Sequence, residues 1–85
     1  MKVLQAQYAR TVMMDLDGYA VSVLSGRAIF DKDTNKEEIS KWLIEQALKN
    51  TPKGFMVVNN ESSIGLYENE LFYKVKYKEA FSNAT

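Results

Sequence analysis

Eighty-five residues allow one modest hydrophobic core, since a chain of this size hides only about 60 to 65% of its surface on folding. With 46% hydrophobic residues, among them one Trp, five Tyr and four Phe, the composition is too apolar for a disordered chain, and no apolar run approaches the roughly 18 residues of a membrane-spanning helix. Eleven basic and eleven acidic residues cancel, which excludes an overall electrostatic footprint for nucleic acid or anionic lipid and leaves only local ones.

Cysteine is absent, so disulfides cannot supply stability as they do in many small secreted domains. The first residues carry no basic segment followed by an apolar stretch, and the expectation is a chain that remains in the reducing cytoplasm, away from membranes. Asn60-Glu61-Ser62 and Asn83-Ala84-Thr85 match the glycosylation sequon, which has meaning only in an exported chain.

From Lys2 to Met14 apolar residues fall on alternate positions (Leu4, Ala6, Tyr8, Val12, Met14), with Arg10 the exception; this is strand patterning. Asp15-Leu16-Asp17-Gly18 follows with turn chemistry, because Asp bonds its own backbone and Gly accepts positive φ. Tyr19, Val21 and Val23 then alternate with smaller residues, predicting a hairpin partner that runs to Leu24. Ser25-Gly26 reads either as a bulge in one long strand through Phe30 or as a second turn.

Thr34-Asn35-Lys36-Glu37 has the capping-box spacing, and the helix it opens should reach about Lys49. Asn50 can take the left-handed position that ends a helix, and Pro52 prevents continuation. Phe55 to Val58 predicts a short buried strand. After a loop from Asn59 to Ser63, Ile64 to Tyr67, the turn Glu68-Asn69-Glu70 and Leu71 to Tyr77 predict a final hairpin. The expected fold class is α+β, a single helix packed on a mainly antiparallel sheet of four to five strands in the order β-β-α-β-β-β, forming one domain.

Two short motifs touch chemistry. Val12-Met13-Met14-Asp15-Leu16-Asp17-Gly18 resembles the first motif of the haloacid dehalogenase phosphatases, a resemblance that implies an Asp nucleophile, an Asp acid/base and bound Mg²⁺. Tyr19 stands where that family has Thr. The family also needs a parallel sheet and later Lys and carboxylate motifs, so a hairpin turn is the expected role. Asp31-Lys32-Asp33-Thr34-Asn35 opens like a calcium loop, but Lys36 and Trp42 occupy the positions where such a loop needs Gly and Glu. With neither His nor Cys, the commonest general base, the thiol nucleophile and the usual transition-metal ligands are missing. A non-enzymatic protein without cofactor or metal is expected.

Binding surfaces are the remaining candidates. On a helix Ile39, Leu43, Ala47, Ile44 and Leu48 cover about half the circumference, wider than the stripe of roughly 100° that marks a surface helix. Trp42 sits on its margin, where it either roofs the edge of the core or projects toward a partner. In the second case the helix contacts another protein through Trp42, and the flank holding Ile44 and Leu48 is a second candidate surface, either an extension of the same patch or a separate homodimer contact. Phe72, Lys74, Lys76 and Lys78 share one face of the last strand, and this basic stripe is the alternative, a surface for RNA or single-stranded DNA. In size and style the chain resembles accessory and counter-defence proteins of bacteriophages, which implies an inhibitor or adaptor of a host protein.

Overall fold

The computed structural model describes residues 1–80; residues 81–85, which include the second sequon, lie outside the described residues. The elements are β1 (Val3–Met14), β2 (Ala20–Phe30), α1 (Lys36–Lys49), β3 (Phe55–Val57), β4 (Ser63–Tyr67) and β5 (Glu70–Glu79), with a short 3₁₀ turn at Asn59–Glu61 between β3 and β4. One helix thus packs on an antiparallel five-stranded sheet, an α+β fold.

The first hairpin closes as its turn residues dictate. The Asp15 carboxylate accepts from the amides of Asp17 (3.0 Å) and Tyr19 (2.9 Å), while Gly18 supplies a φ of 85° that a β-carbon would resist. In the last hairpin Glu68 takes the left-handed φ of 56°, and Asn69 reaches sideways, its side-chain amide donating to the Phe30 carbonyl (2.6 Å) and its carbonyl accepting from the Phe30 amide (2.9 Å). That clamp ties the end of β2 to the β4–β5 turn.

β5 lies at the centre. Along one side it pairs with β2 from Glu70 to Lys78, and β2 in turn pairs with β1. Its other side is shared, β4 taking Glu70 to Lys74 and β3 taking Tyr77 to Glu79. Alternation along β5 sends Leu71, Tyr73, Val75 and Tyr77 to the helix side, all buried, and Phe72, Lys74, Lys76 and Lys78 to the open face. Leu24, Ala28 and Phe30 of β2 complete the floor of the core. Ile39 is fully buried on it, with Trp42, Leu43 and Ala47 packed at its margin.

Four local expectations are corrected. The helix cap is Asn35, one residue later than expected, its side chain accepting from the Glu38 amide at 2.9 Å. Thr34 stands one residue before the cap, with its hydroxyl donating back to Asp31 (2.6 Å). At the other end Asn50 is not left-handed (φ −99°); its side chain donates to the Gln46 carbonyl (2.8 Å), and the Thr51 hydroxyl donates to Ala47 (2.9 Å), so side chains satisfy the last turn. β3 is half-buried, with Met56 exposed. Ser25-Gly26 forms neither a turn nor a bulge, since β2 runs through it in unbroken register.

Gly26 has a different reason. A β-carbon there would stand 2.1 Å from Cζ and 2.2 Å from the hydroxyl of Tyr73, because that ring lies directly across the glycine backbone. Gly26→Ala is therefore expected to destabilise the protein by about 1 to 3 kcal/mol, as overpacking does. Tyr73→Leu lacks the clashing atoms, so in urea denaturation the double variant should lose much less than the sum of the two single losses.

Candidate interaction surface

The residues expected to bind a partner do not form one patch. Trp42 packs edge-on against Phe30 (ring centroids 5.3 Å apart) and Tyr73 (6.2 Å), so its ring roofs the core. Ile44 and Leu48 are exposed, and at 100° per residue they lie about 160° and 120° around the helix from Trp42. Ile44 lines a shallow apolar groove with Leu43, Ala47, Val57, Ile64 and Val75, about 260 Å³ in volume, between the helix and the β3–β4 edge. Leu48 stands outside it.

The open face of the sheet carries the basic stripe, as alternation requires. Two of its lysines are engaged. Lys78 bonds Asp15 (2.9 Å) and lies 4.8 Å from the Tyr19 ring centroid, and Lys76 bonds Glu61 (2.9 Å). Phe72 is half-exposed beneath the Arg27 guanidinium, which is itself paired with Glu70 (2.7 Å). Among the described residues Lys74 has no carboxylate partner. Most of the positive charge on this face is locally compensated.

The edge formed by β1 is different. Every residue from Leu4 to Met14 is exposed, and Tyr8 (60%), Val12 (65%), Met13 (52%) and Met14 (71%) are large apolar side chains, continued by Leu16 in the turn. After a register shift between Val3 and Gln5, the even-numbered residues lie on the helix side of the sheet. The helix covers β2 and β5 and leaves them open. The Asp15 amide donates to the Tyr19 carbonyl (2.9 Å), which sets the phase of the ladder: odd-numbered residues of β1 bond β2, and even-numbered ones from Ala6 to Met14 turn N–H and C=O groups outward.

Exposed edges are usually blunted by charge, proline or bulges. Between Val3 and Met14 the one charged side chain is Arg10, and it is bent inward. Its guanidinium donates to the Ser22 hydroxyl (2.6 Å) and to the Asn50 carbonyl at the helix end (2.6 Å), 5.5 Å from the Tyr77 ring centroid. The Tyr77 hydroxyl donates to the Ala47 carbonyl (2.6 Å), and burial pushes its ionisation above the ordinary tyrosine value, which keeps it a donor.

This edge was not singled out from the residues, because its alternation reads like that of a strand with one buried face. Only the position of β1 in the sheet distinguishes the two. Among the described residues no group of three or more acidic side chains is placed to hold a metal ion, and no helix is long and apolar enough to cross a membrane. Compared with protein-family models, curated protein sequences and solved structures, the chain finds no match.

Two tests follow from these contacts. Hydrogen bonding to Lys78, then the Tyr19 amide, holds the Asp15 carboxyl below its ordinary value. Its contribution to stability is complete above the unfolded-state value and fades as pH falls through the folded one, a window below about pH 4. Asp15→Asn keeps the acceptor for the turn and loses the charge, so it should flatten that acid limb in pH-dependent urea melts. Trp42→Ala should cost about 3 kcal/mol or more, as aromatic truncations in cores do, whereas Ile44→Lys should stay within about 0.5 kcal/mol, as surface changes do; thermal unfolding reads both.

Proposed function

We propose that this chain is a non-enzymatic protein-binding domain, an inhibitor or adaptor of a cellular protein, and that the β1 edge is its principal contact surface. What supports the reading is one combination: outward backbone donors and acceptors on a long strand, flanked by Tyr8, Val12, Met13 and Met14 and without an outward charge. Edge strands of this kind accept another strand, main-chain bonds supplying affinity and alternate side chains supplying specificity. The phage-like size and style of the chain fit a role as an inhibitor of a host protein. Ile44 with its groove is a secondary contact, and Trp42 acts by holding the helix in place.

The test is affinity capture from a bacterial lysate, with and without nuclease, using the native chain and Val12→Lys. Val12 is exposed, so the variant should fold with stability changed by about 0.5 kcal/mol at most. A protein captured by the native chain, retained after nuclease and lost with Val12→Lys is the expected result. Capture that disappears on nuclease treatment would instead assign the surface to nucleic acid through Phe72, Lys74, Lys76 and Lys78. Equal capture by both chains would remove β1 from the interface.

A further inference from the structure

We infer that a second copy of this chain is an occupant of the β1 edge, the two β1 strands pairing antiparallel about a two-fold axis at Ala9 to join two five-stranded sheets into one. This deepens the protein-binding reading by naming a partner. A two-fold axis normal to the sheet runs the two strands antiparallel, so that only the residue on the axis faces its own counterpart and residues equally far before and after it face each other, and both helices come to lie on the same side of the joined sheet.

Geometry narrows the register. Regular pairing of β1 with β2 extends from Gln5 to Met14, so the axes that use most of this segment pass through Ala9 or Arg10. An axis at Arg10 would set two long side chains directly opposite, each already held inward by Ser22 and Asn50 of its own copy. The axis at Ala9 avoids this and pairs Gln5 through Met13. On the helix side it sets Tyr8 against the alkyl stem of Arg10 of the second copy, and Ala6 against Val12. On the open face it sets Gln7 against Thr11, two hydrogen-bonding side chains, and Gln5 against Met13. The smallest side chain stands on the axis, where two copies meet most closely. The outward groups of Tyr8 and Arg10 bond each other, as the ladder phase requires.

The helices do not obstruct the seam. Each lies over β2 and β5, about one and a half strand spacings from β1, so the two stand roughly 19 Å apart at 4.8 Å per spacing, more than the 10–12 Å width of a helix with its side chains. The trough between them is floored by Tyr8, Val12 and Met14 of both copies. The seam is about 30 Å long at 3.4 Å per residue. One sheet is about 10 Å thick, so the seam buries on the order of 300 Å² per copy, where only weak association is expected. The expected dimer is weak, dissociating between about 10 μM and 1 mM.

The chain has no cysteine, so single introduced thiols report the register. Directly opposed residues in a non-hydrogen-bonded pair have Cα atoms about 4.5 Å apart, inside the 4.4–6.8 Å that a disulfide spans. Ala9→Cys should therefore form covalent dimers under mild oxidation at least tenfold faster than Thr11→Cys, whose thiols would lie about 14 Å apart. Mixing Gln7→Cys with Thr11→Cys should give the crossed dimer, and sedimentation equilibrium of the native chain should show reversible dimers in the stated range. A native chain monomeric up to about 1 mM overturns the inference, and so does a dimer in which Ala9→Cys links no faster than Thr11→Cys. Either result can stand while Val12→Lys still abolishes capture of a lysate protein, in which case a foreign strand takes the edge and the protein-binding reading survives; if capture is unaffected as well, both fail.

Discussion

The single helix is seated by the passage of the Tyr73 ring across the bare backbone of Gly26. Because β2 offers no side chain at that point, the ring lies low over the strand and leaves its edge available to Trp42, which in turn meets Phe30. Aromatic pairs in this edge-to-face arrangement contribute about 0.5 to 1.5 kcal/mol beyond their buried area, a large share of what a domain of this size can assemble. The helix N-terminal half is held by that cluster, and its C-terminal turn by hydrogen bonds from Tyr77 and Arg10. Without the gap at Gly26 the ring would have to rise, and the helix with it.

Much of this architecture is legible in residue order because period-two alternation is strongest where burial is most one-sided. Leu71 to Lys78 sorts cleanly into a buried and an open row, and Asp15 with Gly18 can scarcely do anything but turn. What escaped has physical reasons. Thr34 and Asn35 are both competent caps and adjacent in the chain; the fold uses Asn35 to accept from the Glu38 amide and turns the Thr34 hydroxyl back to Asp31. Gly26 reads as a break because glycine usually marks one, while its cause is a tyrosine 47 positions away in the chain that residue order does not place beside it. The exposure of β1 depends on the strand's place in the sheet, which no local pattern encodes.

Charge shows the same dependence on tertiary context. Along the chain Lys74, Lys76 and Lys78 form an unbroken basic row, yet folding brings Glu61 from the 3₁₀ turn and Asp15 from the first hairpin against two of them. The sheet face that looked cationic is closer to a mosaic. The apolar character of the surface has moved instead to β1, whose one formal charge is spent on the helix terminus.

Arg10 therefore links parts of the molecule that the topology keeps apart. It belongs to the outermost strand, but its guanidinium rests on the last carbonyl of the helix region and on Ser22 of the neighbouring strand. An edge strand is ordinarily the first element to fray, opening with little effect on the rest. Here β1 cannot lift away without releasing the Asn50 carbonyl, although the side chains of Asn50, Thr51 and Tyr77 still satisfy the last turn. The outermost strand is thereby tied to the end of the helix through one side chain, and a substitution that removes the guanidinium of Arg10 loosens both at once.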